Sequence, residues 1–207
     1  SGVRDLLARV LIWRVHVGWY LFALFSTALI VGLALGVYAL VGGSFAGFSP
    51  PKPLAVVVPG FLYVLFTSVV GEELGWRGFA LPRLLDRHGA LGASLILGLV
   101  WGLWHLPLFR MAGDFHEMIP LSAFLLQEVA LTVLYTWMYQ NTRGSLLLPH
   151  LFHTAGNFTL YMLPVLPFDT GGDVRPLWFA VAGLCLMTVA VVVRYGPRQF
   201  RDPAKAR

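Results

Sequence analysis

The sequence predicts an all-α fold, a polytopic bundle of transmembrane helices. Apolar residues make up 57% of the 207 residues and charged residues only 12%, whereas a soluble domain carries about 45–50% apolar and about 25% charged residues. The mean hydropathy of +0.73 excludes a disordered chain, because disorder requires low hydrophobicity and high charge. Six apolar stretches are long enough to cross a bilayer, which takes about 20 residues each.

Turn-forming residues separate the six stretches, which we expect to be the membrane spans. The spans lie at roughly 15–41, 54–80, 90–109, 118–139, 145–167 and 177–193. The breaks between them fall at 42–43, 49–51, 88–89, 110–117, 141–144 and 169–173. We therefore divide the chain into an N-terminal interfacial segment (1–14), a transmembrane helical domain (15–193) and a basic cytoplasmic tail (194–207).

The basic residues predict which side each terminus faces. Twelve of them lie at one set of span ends and three at the other, and an excess of basic residues marks the cytoplasmic side. Both termini are therefore expected in the cytoplasm. The larger set is Arg4, Arg9, Arg14, Arg77, Arg83, Arg87, Arg143, Arg194, Arg198, Arg201, Lys205 and Arg207, and the smaller set is Lys52, Arg110 and Arg175. Because membrane topology explains the net charge of +5, no nucleic acid is expected as a partner.

The segment before the first span has helical periodicity. Val3, Leu6, Leu7, Val10 and Leu11 recur at helical spacing. Two interpretations stay open: an amphipathic helix lying flat on the cytoplasmic surface, or an extension of the first span. The chain opens with Ser-Gly rather than Met, so earlier spans that precede it are an open alternative.

The densest polar cluster within a span is Gly71-Glu72-Glu73-Leu74-Gly75-Trp76-Arg77. A charge near the middle of a bilayer costs about 2.5–3.5 kcal/mol, so such residues are functional candidates. Glu73 and Arg77 are four apart and can pair on one helix face. Glu72 points about 100° away from Glu73, so Arg77 cannot easily neutralise both carboxylates. A paired acid beside a freer one is how proteins give two carboxyl groups different roles.

His105 is the second candidate. If the second and third spans form a hairpin that turns at His88-Gly89, Glu72 and His105 each lie about 16 residues from the turn. At about 1.5 Å per residue, both would sit at the same depth, some 25 Å from the turn. This hairpin requires a helix that runs through Pro82, where we expect a kink.

The third candidate is the pair His153 and Asn157, which are four apart and share a helix face. His150 lies three residues before His153 and can join that face. Such hydrogen-bonding groups are not left facing lipid. Glu128, in the fourth span, either lines a cavity or bonds a neighbouring helix, and we favour the structural role. His116 lies near a predicted interface and carries no expected function.

Three helices can therefore present Glu72, His105, His153 and Asn157 toward one cavity. A carboxylate and imidazoles are suited to activating water by general base catalysis, and histidine and asparagine can donate hydrogen bonds to an oxyanion. Two histidines and one glutamate are also a ligand set for catalytic zinc, which here would be Glu72, His105 and His153. The residue types alone do not separate a metal-free site from a zinc site.

The three motifs resemble those of the CAAX prenyl endopeptidases and bacteriocin-processing proteins, the CPBP or ABI family. The family pattern is Glu-Glu-x-x-x-Arg, then Phe-x-x-x-His, then His-x-x-x-Asn. It is filled in order within 71–157 by Glu72, Glu73, Arg77, Trp101, His105, His153 and Asn157. Trp101 stands where the family has Phe, and we expect it to serve as a packing residue.

The resemblance implies an intramembrane endopeptidase of a prokaryotic plasma membrane. It implies that Glu72 and His105 activate the attacking water, and that His153 and Asn157 stabilise the oxyanion. It further implies a peptide or protein substrate, lipidated in some members of the family. We expect the cleaved bond in or near the cytoplasmic half of the bilayer.

The same resemblance implies that Glu73 and Arg77 hold the site together, and it leaves glutamate-dependent and zinc-dependent hydrolysis both open. Two other classes of function stay as alternatives. The chain can be a non-catalytic immunity or adaptor protein that keeps the polar cluster as structure. It can also be a proton or ion transporter, since intramembrane Glu and His serve relays.

Overall fold

The computed structural model describes residues 2–45, 54–66 and 70–201, which contain no strand. They form eight α-helices: α1 Val3–Val10, α2 Val17–Leu40, α3 Leu54–Val64, α4 Val70–Glu73, α5 Leu81–Trp104, α6 Leu121–Asn141, α7 Leu147–Met162 and α8 Arg175–Tyr195. A π-helix, Leu74–Ala80, joins α4 to α5. Short 3-10 helices lie at Leu106–Arg110, Phe115–Met118 and Pro167–Thr170. The predicted all-α class is confirmed for the described residues.

Four stretches of the described residues are long and apolar enough to cross a membrane: Val17–Leu40, Gly71–Arg110, Leu121–Asn141 and Arg175–Tyr195. The chain is therefore an integral membrane protein, but the predicted count of six spans is not confirmed. The span predicted at 145–167 contains α7, a helix of 16 residues that ends at Met162. The span predicted at 54–80 contains the 11 residues of α3, and its residues 67–69 lie outside the described part of the chain.

The stretch Gly71–Arg110 reverses direction at Gly89, as the sequence predicts. Gly89 has φ +67° and ψ 177°. These values lie outside the helical region, and glycine adopts them readily because it has no Cβ. In a straight helix Trp76 and Trp104 would be about 42 Å apart, yet their rings meet edge to face at 6.0 Å. The helix expected to run through Pro82 is continuous there, and a π-helix, Leu74–Ala80, precedes it. This helix type is found frequently at functional sites.

The second half of α5 packs closely against α6. A Cβ atom on Gly98 would lie 2.7 Å from the Cα of Val129, so only glycine lets the two backbones approach this far. Helices α2, α7 and α8 complete the bundle around a core that includes Ile30, Phe152 and Leu184. The polar residues of the candidate site thus lie among five helices, α2, α5, α6, α7 and α8.

Both described ends of the chain lie at one end of the bundle. The backbone N–H of Leu146 donates to the carbonyl of Arg9, and that of Ala90 donates to the carbonyl of Arg198. Most basic residues of the larger set lie at this end, which we call the basic end. Residues 11–16 separate α1 from α2, so α1 is not a continuous extension of the first span. The membrane side that the basic end faces stays a prediction, as do the domain bounds.

Candidate active site

A cavity of about 430 Å³ lies between α4, α5, α6 and α7. Its walls include Glu72, His105, His153 and Asn157, the four residues that the sequence singles out for the reaction. Glu72 comes from α4, His105 follows the last residue of α5, and the other two lie on α7. The structure thus brings together side chains that are as far as 85 positions apart in the chain. His150 is buried, donates from Nδ1 to the carbonyl of Leu146 at 2.6 Å, and does not line this cavity.

Trp101 connects Glu72 to His105. Its indole Nε1–H donates to Oε2 of Glu72 at 2.8 Å, and its backbone carbonyl accepts from Nδ1 of His105 at 2.9 Å. Because Nδ1 carries the proton in this bond, Nε2 of neutral His105 keeps its lone pair. Trp101 therefore does more than the packing that we expected of it. The requirement of a buried indole N–H for an acceptor is the signal that sequence reasoning missed.

Glu73 is the centre of a separate, buried ion cluster. Its Oε1 accepts from Nη1 of Arg77 at 2.8 Å and from Nδ1 of His153 at 2.8 Å. The side chains of Glu73 and Arg77 are both 0% exposed. The predicted pairing of Glu73 with Arg77 is confirmed, whereas the bond to His153 was not foreseen. The bond between Glu73 and His153 joins α4, which precedes the π-helix, to α7.

Aromatic rings enclose the charge of Arg77. The guanidinium carbon lies 4.1 Å from the ring centre of Trp101 and 3.7 Å from that of Tyr135. Cation–π contacts of this kind contribute about 2 kcal/mol or more when they are desolvated. Nη2 of Arg77 also lies 3.5 Å from the hydroxyl of Thr132 on α6. The ion cluster thus contacts α6 as well, and Trp101 belongs to both the cluster and the cavity.

Two further titratable residues, Glu128 and His116, line the same cavity. Glu128 is buried, 5% exposed, and lines the cavity, which is one of the two placements that the sequence allowed. His116 is buried and lines the cavity too, with its ring 6.0 Å from that of His105. Sequence reasoning missed His116 because its position depends on how the loop between α5 and α6 folds back over the bundle.

Asp114 holds His116 in the wall of the cavity. One carboxylate oxygen accepts from the backbone N–H of His116 at 2.9 Å and from its Nδ1 at 2.6 Å. The backbone hydrogen bond and then the ring lower the pKa of Asp114. His105 and His116 lie toward the end of the bundle opposite the basic end, because α5 runs away from the turn at Gly89 and ends beside His105. The side of the membrane that each end faces stays a prediction.

The arrangement does not fit the zinc set considered from the sequence. Within residues 2–45, 54–66 and 70–201, no three His, Cys, Asp or Glu side chains are grouped so that they could hold a metal ion. Glu72, His105 and His153 line one cavity, but they are not grouped closely enough to hold a metal ion.

The comparisons with known proteins agree with the motifs. A family model described as type II CAAX prenyl endopeptidase, Rce1-like, matches residues 54–159, about half of the chain. CAAX prenyl protease 2 of Methanococcus maripaludis is 28% identical over 145 residues, which are 67% of this chain and 51% of the relative. The chain thus spans about half the length of this curated relative. With the motif residues from Glu72 to Asn157 inside the matched range, the chain belongs to the Rce1-like family of type II CAAX prenyl endopeptidases.

Proposed function

We propose that this protein is an intramembrane endopeptidase that hydrolyses a peptide bond by water activated at Glu72 and His105. The observation that carries the proposal is the meeting of Glu72, His105, His153 and Asn157 on one cavity. The membership of the chain in a family of endopeptidases supports it. The chain spans half of its curated relative, so the activity of that relative is part of the proposal.

Glu72 acts as the general base. The Trp101 indole fixes Oε2 of its carboxylate, so the other oxygen can accept a proton from water in the cavity. His105, oriented through its Nδ1 bond to the Trp101 carbonyl, accepts a hydrogen bond from the same water at Nε2. The water oxygen then attacks the carbonyl carbon of the substrate, and the departing amine takes up the proton. General base catalysis of this kind contributes about 10²–10⁴-fold.

His153 and Asn157 face the oxygen on which negative charge develops. The amide of Asn157 can donate a hydrogen bond to it without a change in charge. His153 donates from Nε2 when its ring carries both protons, with the Glu73 carboxylate at 2.8 Å from Nδ1 as the counter-charge. Arg77 holds Glu73 in place, so the buried cluster positions His153 and does not itself touch the substrate.

The substrate that we propose is a membrane-associated peptide with a prenylated cysteine near its C-terminus. Apolar side chains make up much of the cavity wall, which suits a lipid chain beside the peptide. The wall includes Leu108, Ile119, Phe124, Leu166, Phe168 and Leu177. The relative, CAAX prenyl protease 2, is named for the same substrate class.

Cleavage of two matched peptides in lipid vesicles tests this function. One peptide ends in a farnesylated Cys-A-A-X sequence and the other is the same peptide without the lipid. We expect the wild-type protein to cleave the farnesylated peptide and Glu72→Gln to leave it intact. Glu117→Gln is the control, because Glu117 lies outside the cavity. Full cleavage by Glu72→Gln would contradict the proposal, and binding without cleavage by the wild type would favour an adaptor.

We also propose that the cavity opens away from the cytoplasm, because the basic end, with its excess of Arg, is the cytoplasmic end by the positive-inside rule. The single cysteine, Cys185, can be replaced by Ser, and Met111→Cys or Leu11→Cys introduced at opposite ends. An impermeant maleimide applied to intact cells should label the Met111→Cys protein and not the Leu11→Cys protein. The reverse labelling would place the cavity in the cytoplasmic half.

A further inference from the structure

Glu128 is the most unusual side chain of the cavity that the proposed reaction does not use. It lies on α6 and is 5% exposed. Its Oε1 is 3.4 Å from Nε2 of Gln127, a long contact, and its Oε2 has no hydrogen-bond partner among the described residues. A carboxyl group in a membrane interior is costly and is retained where it has a partner. The protein atoms around Glu128 do not provide enough partners for it.

Behind Glu128 lies a second pocket of about 60 Å³, between α2, α6, α7 and α8. Gln127, Glu128, His153 and Asn157 line both this pocket and the reaction cavity. The second pocket is thus the direct continuation of the cavity, and Glu128 lies at the junction of the two. Since one water needs about 10–15 Å³, the second pocket has room for a few.

The second pocket is polar on the side away from the cavity as well. Thr27 and Thr159 line it but do not line the reaction cavity. Their hydroxyl oxygens are 3.4 Å apart, and the Thr159 hydroxyl donates to the Ala155 carbonyl at 2.7 Å, which leaves its oxygen free to accept. Both threonines are buried. Buried water requires two to four such polar partners, and these groups can supply them.

Hydrolysis consumes one water molecule in each turnover, and the walls of the reaction cavity are largely apolar. We propose that the second pocket is a hydration site that holds water for the reaction, with Glu128 as the group that positions this water at the entrance to the cavity. This inference rests on the proposed hydrolytic function. It makes Glu128 a positioning residue and assigns water as the ligand of the pocket.

Turnover of substituted proteins in vesicles tests the proposal. Glu128→Leu should lower kcat about tenfold or more, the factor expected for one lost hydrogen bond to a charged group, and should leave KM within twofold. Glu128→Gln, which keeps two polar atoms, should restore most of the turnover. Thr159→Val should lower kcat as well, by a smaller factor. Thr142→Val is the control, because Thr142 is a buried threonine with the same type of bond to a helix carbonyl, outside both cavities.

Combining the substitutions separates a hydration site from a structural role. If Glu128 and Thr159 hold the same water, Glu128→Leu/Thr159→Val should be no slower than Glu128→Leu alone. A structural role would instead lower the thermal unfolding midpoint and leave kcat per folded molecule unchanged. If Glu128→Leu does not fold, Thr27→Val and Thr159→Val decide the question. Wild-type kcat in all of these variants, with Glu72→Gln inactive, would overturn this inference alone, whereas active Glu72→Gln would overturn the proposed function.

Discussion

Two adjacent carboxylates, Glu72 and Glu73, lie in opposite kinds of surroundings. Glu73 is 0% exposed and accepts hydrogen bonds from Arg77 and His153. Glu72 is half-buried, lines the cavity and accepts a hydrogen bond from the indole of Trp101. Consecutive residues of a helix point about 100° apart. That angle is sufficient to place one acid in the packed interior and the next acid on the wall of the cavity.

One short motif can therefore supply both a structural acid and a reactive one. The Glu73 cluster joins the hairpin to α7 and, through Arg77, to the aromatic ring of Tyr135 on α6. Such a network stabilises the fold only while every partner is present, because a lone buried charge is destabilising. Changes at Glu73 are therefore expected to act on folding, and changes at Glu72 on turnover.

Replacing Glu72 should have the largest effect on activity. Glu72→Gln keeps the shape of the side chain and an oxygen for the Trp101 indole but removes the base. We expect kcat to fall about 10²–10⁴-fold, with the thermal unfolding midpoint in detergent unchanged. Peptide cleavage in vesicles and a thermal scan measure the two quantities. If Glu72→Gln lost stability and kept its turnover, Glu72 would be a structural acid and not the base.

Replacing Glu73 should have the largest effect on stability. Glu73→Gln leaves Arg77 buried without its carboxylate, which costs about 3–5 kcal/mol when one partner of a buried pair is removed. Denaturant unfolding in detergent measures this loss. In Glu73→Gln/Arg77→Met no lone charge remains, so part of the stability should return. Equal stability of Glu73→Gln and the wild-type protein would show that the cluster does not hold the helices together.

The sequence predicted the parts of this site that depend on spacing along one helix. The four-residue separation of Glu73 and Arg77 and the glycine at the turn were sufficient for the ion pair and for the depth of Glu72 and His105. The bond between Glu73 and His153 was not predictable, because it depends on how α7 packs and on the register of the π-helix Leu74–Ala80. The count of six spans stays a prediction, because hydropathy alone does not set where a helix ends, and α7 has only 16 residues.

Trp101 contacts both Arg77 of the buried cluster and Glu72 of the cavity, so its replacement tests how independent the two acids are. Trp101→Phe restores the residue of the family pattern, keeps an aromatic ring near Arg77 and removes the indole N–H that holds Glu72. Loss of a hydrogen bond to a charged group corresponds to about 1.5–3 kcal/mol, of which only the part that positions Glu72 affects the rate. We expect kcat to fall about tenfold with a small change in the unfolding midpoint. A loss of stability as large as that of Glu73→Gln would assign Trp101 to the buried cluster.

Metal chelation should have the smallest effect, and it tests whether the side chains of the cavity are sufficient for cleavage without a metal ion. Each donor that a zinc ion would need already has a protein partner that orients it: the indole for Glu72, a backbone carbonyl for His105 and Glu73 for His153. If these bonds position the side chains for water activation, dialysis against a chelator should leave cleavage unchanged. Loss of cleavage that zinc restores, and that cobalt or manganese restores in part, would mean that Glu72, His105 and His153 converge on a metal during the reaction. In that case Glu73 would orient a metal ligand by its bond to Nδ1 of His153, a common role for a carboxylate beside a metal-bound histidine.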